Sequence, residues 1–202
     1  MKVLMINGSP HEHGCTDAAL REVAGVLESH GIETEFYWIG TRAISGCIAC
    51  GGCKKGNGCA IGDDVNVLGN RLSTYDGIVI GSPVYYAGPN GALCAFLDRL
   101  FYSYGGRLAG KPAACVVSCR RGGASAAFDR LNKYFTICNM PVVSSQYWNQ
   151  VHGSKAEDVY KDEEGMQTMR TLGRNMAWLL CGMQNNPLPP SQEPKMRTSF
   201  IR

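Results

Sequence analysis

Short unbroken apolar stretches alternate with amphipathic ones along the chain. Lys2 to Ile6 is an apolar run that stops at Asn7-Gly8-Ser9-Pro10, a turn composition. From Thr16 to Leu27, apolar positions Ala19, Leu20, Val23, Val26 and Leu27 form one helical stripe, which His30-Gly31 closes. Ile32 to Ile39 alternates and predicts a strand. Asp63-Asp64 can cap a short helix to about Leu72, and Gly77 to Gly81 predicts a buried strand. Gly88 to Tyr102 predicts a helix, Pro112 to Ser118 a buried strand, and Ala124 to Ile137 a helix. Val142 to Trp148 predicts a fifth strand, and residues 158–181 a last helix with Met166, Met169, Leu172, Met176 and Leu179 on or near one stripe.

Five βα units in succession predict a parallel sheet with helices on both faces. The inner strands are continuous apolar runs, as a sheet covered on both sides requires. The pattern divides the chain into one domain, residues 1–182, with a Gly- and Cys-rich insertion at 40–62, and an extended tail, 183–202, with four prolines. An irregular segment as long as 40–62 inside such a fold marks function.

Composition and charge exclude several classes. Hydrophobic residues make up 45% and charged residues 18%, enough for a real core. Net charge is +3, from 20 Lys+Arg against 17 Asp+Glu, with no block of like charge, so neither nucleic acid nor a membrane surface is an expected partner. Apolar stretches such as Ala113-Ala114-Cys115-Val116-Val117 fall far short of the ~18 residues of a membrane span. Lys2 and the short run before Asn7 do not make a secretory signal. The expected location is the cytoplasm.

Three loops end parallel strands and share one sheet edge, where open α/β folds bind ligands. The first is Asn7 to Thr16: Ser9 and Thr16 offer hydroxyls, Gly8 and Gly14 allow close backbone approach, and a helix N-terminus follows. It lacks the Lys of a triphosphate loop and is not Gly-x-Gly-x-x-Gly. A monophosphate suits it better, the plain alternative being a Gly/Pro turn capped by Thr16. The second is Ser82-Pro83-Val84-Tyr85-Tyr86-Ala87-Gly88-Pro89, and the third Ser118-Cys119-Arg120-Arg121-Gly122-Gly123.

Gly8-Ser9-Pro10 with Thr16, Gly81-Ser82-Pro83-Val84-Tyr85, and Phe96-Leu97-Asp98-Arg99 resemble the NADPH-dependent FMN reductase family over about residues 1–180. The resemblance implies a flavodoxin-like three-layer α/β sandwich, its five-stranded parallel sheet in the order 2-1-3-4-5. It implies FMN, with Ser9, His11, Gly14, Cys15 and Thr16 at the phosphate. Pro83, Val84, Tyr85, Tyr86, Ala87 and Gly88 would lie along the ring, and Ser118, Cys119, Arg120, Gly122 and Gly123 near its pyrimidine edge. The family often has Asn before the Thr and a basic residue after the Pro, where this chain has Cys15 and His11. The implied activity is that of an NAD(P)H:acceptor oxidoreductase in which reduced nicotinamide passes hydride to the flavin and no side chain acts as acid or base.

Ten cysteines without a signal peptide read as metal or redox chemistry rather than as a disulfide framework. Cys47, Cys50, Cys53 and Cys59 form C-x2-C-x2-C-x5-C. Zinc knuckles come as two separated pairs, so the ferredoxin run is the nearer analogue, although its following Pro is missing. The spacing resembles the iron–sulfur flavoproteins of anaerobes, a branch of the same family, which implies a [4Fe–4S] cluster near the FMN of a neighbouring subunit. Zinc, four free thiols and a Cys50–Cys53 disulfide formed on oxidation are the alternatives. Cys94, Cys115, Cys138 and Cys181 read as small hydrophobes.

Asp98-Arg99 reads as a structural ion pair or a dimer contact, and the Met stripe as core or a subunit seam. Tyr147-Trp148-Asn149 with His152 reads either as strand-end packing or as a cover for a partner's flavin. So much apolar helical surface predicts a homodimer or homotetramer, with a small molecule or a protein as electron acceptor. Two other functions compete: an FMN/iron–sulfur electron carrier without its own small-molecule substrate, and a non-redox binding or regulatory protein that keeps the fold.

Overall fold

In the computed structural model, residues 1–185, 193, 194, 196 and 198 are described. Most of the expected tail therefore lies outside the described residues. The strands are β1 (Lys2–Asn7), β2 (Glu33–Trp38), β3 (Gly77–Tyr85), β4 (Gly88–Pro89), β5 (Ala113–Cys119) and β6 (Gln150–His152). The helices are α1 (Cys15–Ser29), α2 (Asp64–Arg71), α3 (Gly91–Tyr104), α4 (Ala124–Ile137), α5 (Ala156–Val159) and α6 (Glu163–Gln184). The sheet runs β2-β1-β3-β5-β6, and every pair along that path is parallel. Counted over parallel strands this is the expected 2-1-3-4-5 order. The short β4 is an addition that pairs antiparallel with the end of β3.

Period-two alternation divides the core. Leu4, Ile6, Ile78, Ile80, Cys115 and Val117 pack on one face beneath α2, α3 and α4. Val3, Met5, Val79, Ala114 and Val116 pack on the other against α1 and α6. The α1 stripe is buried at Ala19, Leu20, Val23 and Leu27. Each of these leucines contributes about 1.5–3 kcal/mol by leaving water. The Met stripe belongs to this core, with Met169 and Met176 fully buried, and Gly173 lets α6 lie against Val26 of α1.

Two elements depart from the sequence pattern. The fifth strand is not Val142–Trp148 but Gln150–His152. Val142 makes a single bridge to Ala113. The chain then bows toward α6, because Ser145 Oγ donates to the Thr168 carbonyl (2.7 Å) and Asn175 Nδ2 to the Ser144 carbonyl (2.8 Å). It rejoins β5 at Gln150, leaving Tyr147 and Trp148 exposed with ring centroids 5.1 Å apart. The last helix is also broken. Asp162 ends the α5 turn and caps α6 by accepting from Gly165 N at 2.9 Å, and α6 runs on to Gln184.

Candidate functional site

The C-terminal ends of β1, β3 and β5 bring the three loops to one edge. In the first, Asn7 at the strand end organises the turn: its Nδ2 donates to the Glu12 carbonyl and its Oδ1 accepts from Ser9 N. Ser9 Oγ accepts from His11 N, and Trp38 Nε1 donates to the Ser9 carbonyl at 2.7 Å. Ser9 is buried and His11 exposed. Gly14 is the N-cap residue of α1, which carries no side-chain cap. The first-turn N–H groups are thus left to an outside acceptor, the arrangement that binds phosphate. Cys15 and Thr16 open that helix; partial burial pushes the Cys15 thiol up.

The second loop is a tight hairpin. Val84 pairs with Pro89 and Tyr85 with Gly88, which leaves Tyr86 and Ala87 as its two central residues. Both have positive φ, 49° and 59°. A type I′ turn needs this, and it normally takes Asn-Gly. Two L-residues there store about 1 kcal/mol or more each. Tyr85 and Tyr86 are exposed, while Pro83 and Val84 are half-buried. Beneath the hairpin, buried Ser82 Oγ accepts from Asn90 N, and Asn90 Oδ1 caps α3 by accepting from Ala92 N and Leu93 N.

In the third loop Ser118 and Cys119 are buried at the end of β5, whereas Arg120 and Gly122 are exposed. Gly123 has φ +88°, and α4 begins there, like α1, without a side-chain cap. A Cβ on Gly123 would stand 2.8 Å from Ala87 Cα, so the second and third loops touch. Thr16 Oγ1 and Ser118 Oγ share a buried 2.9 Å hydrogen bond that joins the first and third loops. Gly8 N donates to the Gly81 carbonyl at 2.9 Å and ties the first loop to β3. Every candidate loop residue is therefore at one edge, with the Thr16 and Ser118 hydroxyls turned toward each other.

The four cysteines line one cavity of about 410 Å³, shared with Arg99 and Tyr102. None of the ten cysteines is in a disulfide. Cys47 and Cys50 are exposed, and Cys53 and Cys59 are half-buried. Among the described residues no three His, Cys, Asp or Glu side chains are grouped as they would be around a single metal ion. Four thiols lining one cavity are the donor type that iron–sulfur clusters take.

This segment hangs from α2 and α3. Gly51, Gly56 and Gly58 have positive φ, and Ala49 joins them at 53°. Asn66 of α2 grips Cys59 from both sides: Oδ1 accepts from Cys59 N, and Nδ2 donates to the Cys59 carbonyl, each at 2.9 Å. Arg99 of α3 forms a bidentate pair with Asp63, at 2.7 and 2.6 Å. That guanidinium holds the Asp63 carboxyl below its usual range. Asp98 turns the other way, to Arg130 and Tyr134. The adjacent Asp98 and Arg99 are therefore ion-paired separately, as neighbours on a helix do not face each other.

A larger cavity, about 650 Å³, is lined by Glu22, Tyr160, Glu163 and Arg170 among others, none of them in the three loops. Among the other cysteines, Cys115 is buried with its thiol on Asn132 Oδ1, and burial pushes that thiol up. Cys181 is exposed rather than packed as a small hydrophobe.

The NADPH-dependent FMN reductase family model matches residues 1–155. The chain belongs to that family. An iron-sulfur flavoprotein of Methanocaldococcus jannaschii is 32% identical over 187 residues, 88% of this chain and 96% of that protein. An iron-sulfur flavoprotein of Methanosarcina thermophila is 27% identical over 191 residues, 92% and 98% of the two chains. Among solved structures, RosB with bound 8-demethyl-8-formylriboflavin-5'-phosphate superposes with a TM-score of 0.73 at 14% identity, covering 100% of this chain and 96% of that one. An archaeal flavodoxin gives 0.61 at 15% identity, covering 90% and 99%. This family member is thus a flavodoxin-like FMN flavoprotein and an oxidoreductase. No helix among the described residues is long and apolar enough to cross a membrane.

Sequence reasoning missed the residues that hold the sites together. Trp38 and Asn90 shape the three-loop edge without belonging to its motifs. Asp63 reads as a helix cap, which it is, but its pairing with Arg99 spans 36 positions and leaves no local signal. The bonds from Asn66 and Arg99 to Cys59 left no local signal either.

Proposed function

We propose that the chain binds FMN noncovalently across the three loops and acts as an NAD(P)H:acceptor reductase. The observation that carries this is the joining of all three loops at one sheet edge beside two helix N-termini without side-chain caps. Ser9, His11, Gly14, Cys15 and Thr16 would take the phosphate, with the α1 dipole favouring its charge. Pro83 and Val84, with the hairpin Tyr85-Tyr86-Ala87-Gly88, would lie along the ring. Ser118, Cys119, Arg120, Gly122 and Gly123 would meet its polar edge, where backbone N–H groups and Arg120 favour negative charge. Bound FMN supplies the hydride- and electron-accepting chemistry; the chain binds, orients and covers it. This assigns residues 1–182 to one FMN-binding unit. Exposed Tyr102, Ile137, Trp148 and Trp178 support a homo-oligomer.

Cys47, Cys50, Cys53 and Cys59 fit a [4Fe–4S] cluster: four thiols share one cavity, and Lys54 and Lys55 beside them offset its negative charge. The iron–sulfur flavoprotein names of the relatives support the same reading. It also favours a second function, an FMN/iron–sulfur electron carrier without its own small-molecule substrate. From Gly91, at the hairpin end of α3, to Arg99, at the cavity, is roughly 12 Å along the helix axis.

Gly14→Asp tests the flavin assignment without sacrificing the fold. Asp is a favourable N-cap residue, but its carboxylate would occupy the anion position. We expect an unchanged or higher Tm and an FMN Kd raised at least about tenfold, equivalent to about 1.4 kcal/mol. Unaltered FMN affinity by fluorescence titration would remove the assignment. NAD(P)H oxidation by the FMN-loaded wild type separates the reductase from the carrier, which would exchange electrons with a ferredoxin instead.

A further inference from the structure

Arg99 is a charged side chain with 1% of its surface exposed. Burying a guanidinium costs several kcal/mol unless its charge and all its donors are met. A guanidinium has five N–H groups, and here each has an acceptor. Nη1 donates to Asp63 Oδ2 and the Ser45 carbonyl, and Nη2 to Asp63 Oδ1 and the Ile61 carbonyl. Nε donates to Cys59 Sγ at 3.3 Å. Every acceptor belongs to the segment from Ser45 to Asp63, whereas Arg99 stands on a regular core helix. A buried anchor of the loop would need Asp63 and the two carbonyls. The Nε–H also needs an acceptor, and the one it has is a thiol sulfur of the cysteine site.

Cys59 is also unlike the other three thiols. Asn66 fixes its backbone on both sides, and Arg99 fixes its sulfur. Cys47 and Cys50 are exposed, on a stretch that turns through glycines. The site thus has one rigid corner and a more adaptable remainder.

We propose that Arg99 is a positioning and tuning residue of the cysteine site: its Nε–H holds Cys59 as the fixed ligand of a bound iron–sulfur cluster and raises the reduction potential of that cluster. This rests on the cluster reading given above. Hydrogen bonds to cluster sulfurs stabilise the more negative, reduced form more than the oxidised one, and groups behind a ligand govern how firmly it holds metal. Lys54 also lines the cavity but is exposed, whereas Arg99 is the buried cation of its wall.

The test compares full-length wild type, Arg99→Lys and Arg99→Met after anaerobic reconstitution. Iron and acid-labile sulfide per chain come first, with about four irons expected in the wild type. The cluster is then reduced with dithionite in the presence of mediator dyes, and its potential is read from visible absorbance. Arg99→Lys keeps a cation for Asp63 but loses the planar fork. We expect it to keep the cluster at a more negative potential. Arg99→Met should shift further and lose iron to a chelator about tenfold faster, with FMN content retained. A wild type labelled with 15N-arginine needs no substitution: electron–nuclear double resonance on its reduced cluster should show coupling to one arginine nitrogen. Wild-type potentials and chelator half-times in both variants, or no 15N coupling, overturn the role of Arg99 and leave the cluster standing. A wild type that takes up no iron overturns both.

Discussion

The three-loop edge and the cysteine loop are built on one sheet and its helices but take their shapes from different sources. At the three-loop edge each loop is held between a strand and a helix, and short polar links such as Thr16–Ser118 and Gly8–Gly81 tie the first loop to its neighbours. Residues 40–62 have no such frame; a four-residue 3-10 turn, Gly52–Lys55, is their regular structure. They are held by side chains reaching out from α2 and α3, above all Asn66 and Arg99. A ligand edge that belongs to the sheet inherits the sheet's rigidity. A loop hung from a few long side chains stands or falls with those side chains, and can adapt its free end to what it holds.

This contrast gives three measurable differences. Asp63→Ala should have the largest effect. It strands the buried Arg99 charge and removes the α2 cap, for a loss of about 3 kcal/mol by urea unfolding. FMN affinity should change by less than about twofold, since distant sites act independently. A tenfold loss of FMN binding would show that the two regions are not separable.

Gly123→Ala should do the converse. Its φ of +88° and the 2.8 Å approach to Ala87 Cα press on backbone of the second loop. We expect about 2 kcal/mol of destabilisation and an FMN Kd raised about tenfold, with cysteine accessibility to a thiol reagent unchanged. Faster thiol labelling in this variant would contradict the comparison.

The smallest effect is a control distant from both sites. Burial pushes the Glu35 carboxyl up, but hydrogen bonds from Lys2, Tyr75 and Arg71 outweigh it and bring its pKa down to about 2. A carboxylate depressed in the folded state adds stability above its unfolded pKa and loses it as pH falls through the folded one. Stability should therefore decline between roughly pH 5 and 2, with about 1 kcal/mol assigned to this group after allowance for solvent at its partly exposed rim. Glu35→Gln should flatten that part of the curve and leave both FMN binding and thiol labelling alone. An unchanged acid limb would remove Glu35 from the account.

Much of this protein was legible in its sequence because the information was local. The continuous apolar runs of β1, β3 and β5, the alternation of β2 and the helical stripe of α1 are each read within one element. The alternation of such elements then dictates a parallel sheet, and a parallel sheet dictates which loops share an edge. Gly8 and Gly14 mark close approaches, and the Cys47–Cys59 spacing marks one compact object. Tertiary structure decided what depends on partners distant in the chain. Val142–Trp148 has strand-like composition, yet bonds to α6 pull it off the sheet, and the pairing moves to Gln150. Asp98 and Arg99 are adjacent in sequence but point away from each other on α3, so one meets Arg130 and the other reaches Asp63 and Cys59. Local chemistry fixes the elements and the residues they can offer; only the packing of one element on another selects which buried donor meets which acceptor.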